Sequence, residues 1–109
     1  MRLLTIVSLM VISLYGYVCD GSYNKDKGTG EFVKATEQAT FLISKDSKTL
    51  YIGVSNKMFE LDFYKKDKYK NVTAYRNGNG VIVIIYNNFK DGVRIITSKE
   101  ELDFTNCKD

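Results

Sequence analysis

The chain has 109 residues, with 16 lysines and arginines, 13 aspartates and glutamates, two cysteines, and no histidine, tryptophan or proline. That length supports one domain. The missing histidine excludes Ser/His and Cys/His catalytic pairs and histidine-bearing metal sites, and the near balance of charge excludes the strongly basic stripe of a general nucleic-acid binder.

From the start of the chain, Leu3 to Val18 carry no charge and follow Arg2, the pattern of a secretory signal peptide. The run is shorter than the roughly 20 apolar residues a spanning helix needs. Cleavage is expected after Gly16, with Ser13 as the other option. Residues 1–16 are then a leader and 17–109 a single β domain of an exported protein, periplasmic or secreted. Only Arg2 leaves with the leader, so 15 basic residues face 13 acidic ones in the mature chain. Cys19 just beyond the apolar run raises a lipoprotein reading. Val18 stands where a lipidated cysteine wants a small residue, so a lipid anchor is the disfavoured option and the leader the only other membrane contact.

An even cysteine count in an oxidising compartment reads as a disulfide between Cys19 and Cys107. It would close nearly the whole domain, worth on the order of 4–5 kcal/mol on the loop-entropy model. Metal or redox chemistry would want a CxxC pair or histidine ligands, and the chain has neither. No cofactor or metal is expected.

After Tyr17 no sustained helical period appears, and short β-branched and aromatic runs alternate with turn signals. Asp20 to Gly30 reads as a loop or a weak first strand. Gln38 to Ser44 reads as a strand, turned by Lys45-Asp46-Ser47-Lys48 into Thr49 to Ser55. Lys57 to Tyr64 alternates, with Phe59, Leu61 and Phe63 on one face and Met58, Glu60, Asp62 and Tyr64 on the other. Lys65, Lys66, Lys68 and Lys70 read as a solvated, edge-protecting turn; meeting phosphates or an acidic partner is the alternative. Asn71 to Arg76 is a further strand, and Asn77-Gly78-Asn79-Gly80 carries two Asn-Gly hairpin steps. Val81 to Tyr86 lacks alternation, which predicts a central strand buried on both faces. Asn87 to Gly92 turns into Val93 to Thr97. Ser98 to Glu101 has capping-box spacing but too little after it for a helix, and a last strand runs to Cys107. Seven or eight strands joined by tight turns predict an all-β fold, a small antiparallel barrel or strongly curved meander closed by one disulfide.

Glu60 and Asp62 share a strand face at i, i+2, a spacing open to acid–base work, although alternating charge on an outer strand face is commoner. No catalytic activity is expected. The seven tyrosines of the mature chain, with Phe59, Phe63 and Phe89, offer a binding face, at least half of them being spent on packing. Asn71-Val72-Thr73 matches a glycosylation sequon, meaningful only in a eukaryotic secretory pathway.

Tyr17-Val18-Cys19-Asp20 at the mature start, Asn106-Cys107 at the end and the layout between them resemble the periplasmic and membrane-bound inhibitors of c-type lysozyme. These are small disulfide-bridged bacterial β-barrels with a tyrosine two residues before the first cysteine. They carry a Ser-Gly-x-x-Tyr loop, a strand, and a turn with a lysine before glycine. Thr73-Ala74-Tyr75-Arg76-Asn77-Gly78 stands where that loop falls, without its Ser-Gly pair. Val81 to Tyr86 matches the strand, and Phe89-Lys90-Asp91-Gly92 the lysine turn. The resemblance implies a protein that plugs a lysozyme cleft. Thr73, Tyr75 and Arg76 would lie on the loop, and Lys90 would pair with a catalytic carboxylate. On the residues alone, Lys90 and Asp91 are polar turn residues and Tyr75 packs across strands. The alternative function is an envelope or secreted module that contacts a protein or acidic glycan, and a second copy of the chain is a further partner left open.

Overall fold

The computed structural model describes residues 14–34, 37–54 and 57–109. Their strands are β1 (Leu14–Asp26), β2 (Phe32–Lys34), β3 (Gln38–Ser44), β4 (Thr49–Val54), β5 (Lys57–Asp67), β6 (Val72–Arg76), β7 (Ile82–Tyr86), β8 (Val93–Ile96) and β9 (Glu100–Lys108), with no helix among the described residues. All pairings are antiparallel. One edge of β1 pairs with β3 and the other with β9, so β1 and β3 to β9 close into an eight-stranded barrel. β2 lies outside this ring, paired to β1 at Tyr23, Asn24 and Lys25. The expected all-β barrel is the fold observed. Cys19 and Cys107 form its disulfide, with Cα atoms 4.0 Å apart across the β1–β9 seam.

Alternation explains the core. Every second residue of a barrel strand points inward, and Phe41, Ile43, Leu50, Ile52, Leu61, Tyr75, Val83, Ile85, Val93, Ile95 and Phe104 fill the interior. Phe41 stands edge-on to Phe104 at 5.8 Å between ring centroids. Each such side chain contributes about 1.5–3 kcal/mol through the apolar area it removes from water.

One element resolves an alternative the sequence left open and three differ from the sequence reading, each for a physical reason. Asp20 to Asp26 belongs to a 13-residue β1, because partners on both edges hold even its polar residues extended. β2 escaped the reading, being three exposed residues with no apolar period of their own. Lys65 and Lys66 lie in β5, not in the turn: an extra residue at Tyr64 shifts the register, and pairing resumes with Lys65 opposite Ala74 and Lys66 opposite Thr73. β7 is not buried on both faces. Val83 and Ile85 point inward while Ile82, Ile84 and Tyr86 are half-buried on the outer wall, since a closed barrel has one inside and one outside.

The meander sorts its turns between two ends. The β3–β4, β5–β6 and β7–β8 turns share one end with the start of β1 and the end of β9, and the β1–β2, β6–β7 and β8–β9 turns share the other.

Candidate functional site

Three turns are fastened into one surface at the first of these ends. In the β7–β8 turn, Asn87, Asn88 and Phe89 occupy the left-handed region in succession, with φ of 49°, 51° and 73°. Asparagine tolerates that region, but a phenylalanine there is an outlier that the surroundings must hold in place. They do so by burial. Phe89 is 1% exposed, stacks on Tyr17 at 4.1 Å and approaches Phe41 at 5.9 Å. The turn closes as Lys90 N–H donates to the Asn87 carbonyl at 3.0 Å and Asp91 N–H to that of Tyr86 at 3.3 Å. Lys90, next to the buried ring, is exposed.

Neighbouring turns brace this one. Asn87 N–H donates to the Asn71 carbonyl, and Asn71 Nδ2 donates to Asn87 Oδ1, both at 2.8 Å. Asn71 is itself left-handed, with φ of 51°, and ends a hairpin in which Asp67 Oδ1 accepts from the Tyr69 and Lys70 amides. The sequon side chain is thus engaged within the structure. On the other side, Tyr75 Oη donates to the Ser47 carbonyl at 2.9 Å, tying the inside of β6 to the β3–β4 turn. There, Ser44 Oγ and the Lys48 amide donate to Asp46 Oδ1 and hold its carboxyl below the usual range, the serine bond being the larger cause.

Between the braces lies a shallow depression of about 130 Å³ lined by Ile43, Ser47, Phe63, Lys66, Thr73, Tyr75, Ile85 and Asn88. Its surroundings are basic: Lys45, Lys48, Lys66, Lys68, Lys70 and Lys90 are exposed at this end, against Asp46, Asp67 and Asp91.

The candidate residues fall as follows. Thr73 and Tyr75 lie on β6, not on a loop, and line the depression together with Asn88, two residues before Lys90. Tyr75 is 2% exposed, with its ring edge-on to Phe63 at 5.9 Å, so it forms part of the core. Arg76 does not join them. It is exposed on the outer wall, its guanidinium 3.9 Å over the Tyr64 ring. Glu60 and Asp62 are exposed on the outer wall opposite Tyr51 and Thr49. No cluster of three or more histidines, cysteines, aspartates or glutamates suited to a metal occurs among the described residues. The left-handed run and the Tyr17–Phe89 stack escaped the sequence reading; the Asn87-Asn88 pair was the available signal for the run.

The opposite end holds a cavity of about 300 Å³ with an apolar floor, including Val54, Phe59, Ile95 and Leu102, and a polar rim that includes Asn24, Glu37, Lys57 and Glu100. Fold and turns together define a disulfide-closed eight-stranded barrel with one braced, lysine-bearing end. The chain matches no protein-family model, no curated protein and no solved structure.

Proposed function

We propose that this is an exported, non-catalytic binding protein whose working surface is the Lys90 end of the barrel, and that its partner is the carboxylate-bearing cleft of a c-type lysozyme. The disulfide is compatible with the oxidising compartment this requires. The observation that carries the reading is the β7–β8 turn. Three left-handed residues, the last of them the buried Phe89, hold the backbone beside an exposed lysine. A cation on a braced turn enters a cleft with little further loss of backbone freedom, and its pairing with a carboxylate strengthens as water leaves. Thr73 offers a hydroxyl at the rim of the neighbouring depression, while Tyr75 supports that surface from beneath.

The test is a cell-wall lysis assay with c-type lysozyme and the oxidised protein. Dose-dependent inhibition is expected, weakened at least about tenfold in Lys90→Ala, the loss of one charge-assisted contact. An absence of inhibition with the disulfide intact overturns the lysozyme reading.

A second reading, binding of an acidic glycan at the same end, is favoured by the excess of lysines over aspartates there. It predicts a salt-dependent affinity that falls more in the triple variant Lys66→Ala, Lys68→Ala, Lys70→Ala than in Lys90→Ala.

A further inference from the structure

Barrel closure removes the free edges of a sheet, yet β2 lies outside the ring. It pairs only with β1, and among the described residues no strand covers its other edge. That edge is also apolar. Phe32 is 65% exposed and Val33 60%, with Tyr23 of β1 exposed beside them. Lys25 does not hide Phe32; its ammonium lies over the ring at 5.6 Å from the centroid.

The backbone decides what can pair there. Asp26 N–H donates to the Glu31 carbonyl at 3.0 Å, so Glu31 and Val33 aim their peptide groups at β1. By alternation, Phe32 and Lys34 aim theirs outward. A two-fold axis through an antiparallel strand pair must set one residue opposite its own copy, because facing residues share a side of the sheet. Centring the axis on Val33 is the register that uses all the outward groups. Phe32 of each copy then exchanges both backbone hydrogen bonds with Lys34 of the other, and the two Val33 side chains meet as a non-hydrogen-bonded pair. The same register lays the aliphatic stem of Lys34 against the opposite Phe32 ring, on the side of the sheet that Lys25 shares. Centring on Phe32 instead leaves that backbone match unmade. The strand is complementary to itself in one register.

We propose that two copies of this protein associate through β2, antiparallel about Val33, to form one sheet continuous across both barrels. The contact is short, four backbone hydrogen bonds and a few side chains, so the dimer is a weak, concentration-dependent one. It leaves the lysine-bearing end of each barrel free.

Two measurements on the full oxidised protein test this. In sedimentation equilibrium the wild type should approach twice the monomer mass as concentration rises. Phe32→Pro, which removes an outward N–H that the barrel does not use, should stay monomeric with an unchanged far-ultraviolet spectrum and an intact Cys19–Cys107 bridge. Independently of how that variant folds, Val33→Cys should crosslink to itself on mild oxidation. The facing Cα atoms would be about 4.5 Å apart, inside the about 4.4–6.8 Å a disulfide spans. Phe32→Cys, facing Lys34, should crosslink at least about tenfold more slowly. A wild type that stays monomeric at all concentrations, a folded Phe32→Pro that still dimerises, or equal crosslinking of the two cysteine variants would each overturn the proposal.

Discussion

The two ends of the barrel are built from the same meander, but they differ in how tightly their turns are held and in what they carry. At the lysine end, the Asn71–Asn87 hydrogen bond joins the β5–β6 and β7–β8 turns, the Tyr75–Ser47 bond ties the β3–β4 turn to β6, and Phe89 roots the longest of the three turns in the core. At the other end the β6–β7 turn is closed by Asn77, whose Oδ1 accepts from the Asn79 and Val81 amides. The β8–β9 turn is closed by Thr97, whose Oγ1 accepts from the Lys99 and Glu100 amides. The β6–β7 turn is satisfied by its own residues, while a backbone bond links the β1–β2 and β8–β9 turns, the Lys27 amide donating to the Lys99 carbonyl at 3.0 Å. No buried side chain like Phe89 roots either of them among the described residues. Charge divides the ends too: Lys27, Lys34, Lys57 and Lys99 are balanced in number by Asp26, Glu31, Glu37 and Glu100 at the end opposite Lys90. Bracing costs backbone strain at the left-handed residues, and strain that the surroundings over-determine concentrates at surfaces that must keep a shape.

The covalent part of the contrast yields the largest expected effect. Cys19–Cys107 closes the seam in its lysine-end half, and its partners are 88 residues apart in sequence. On the loop-entropy model, removing it with Cys19→Ser and Cys107→Ser costs about 4–5 kcal/mol, comparable with the whole stability of a small domain. Urea unfolding of the double variant should show a collapse of the transition, or a midpoint moved by that amount. Phe89→Ala comes next. Deleting a buried aromatic ring costs about 3–5 kcal/mol, and here it also unroots the Lys90 turn. Hydrogen exchange should quicken at Lys90 and Asp91 before it quickens at Asn77 to Gly80; equal quickening at both ends would break the contrast.

How much of this was readable in the residues depends on whether the signal was local. The hairpin at Asn77–Gly80, the alternation of Lys57 to Tyr64 and the cysteine pairing carry their own chemistry, and the barrel follows from them. What escaped depends on partners distant in sequence. β1 is extended over Asp20 to Asp26 because β2 and β9 flank it, not because those polar residues favour a strand. Phe89 reads as a turn residue until Tyr17, 72 positions away, is brought against its ring. The resemblance puts Tyr75 on a loop, but the residues alone read it as packing across strands, and its register with Phe63 and Val83 does point it into the core. Lys90 was visible as a turn lysine, but the bracing that makes its position interesting was not.

Two glycines test the contrast at intermediate size. Gly92, after the Lys90 turn, has φ of +97°, and an added Cβ would lie 2.6 Å from the Phe104 carbonyl oxygen. Gly80, in the opposite hairpin, has φ of +83° with nothing within 4 Å of that position. Gly92→Ala therefore meets backbone as well as strain and should cost about 3 kcal/mol, the upper range for a strained site. Gly80→Ala meets the conformational term alone, about 1 kcal/mol. Equal losses in thermal unfolding would mean that the lysine end yields as easily as the other.

The smallest effect concerns the seam where it approaches the lysine end. Asp20 accepts from Asn106 Nδ2 at Oδ2 and from Gln38 Nε2 at Oδ1, both at 2.9 Å, so one carboxylate joins β9, β1 and β3. Asn106 is left-handed, with φ of 55°, where β9 carries an extra residue against β1. These bonds hold the Asp20 carboxyl below its ordinary value of 3.8, the bond from Asn106 being the larger cause, with Lys108 adding a minor attraction. Because the folded-state value is depressed, the stabilisation is present above the unfolded-state value and is lost as pH falls through the lower, folded one. Thermal midpoints measured below about pH 4 should therefore fall less steeply in Asp20→Asn than in the wild type, while near neutral pH the variant sits slightly lower for want of the charge. Asp46, held down by its own turn, keeps part of the acid slope in both proteins. Parallel slopes would mean that the carboxylate bridges the seam without stabilising it, leaving the disulfide and the paired backbone of β1 and β9 to hold that half of the barrel closed.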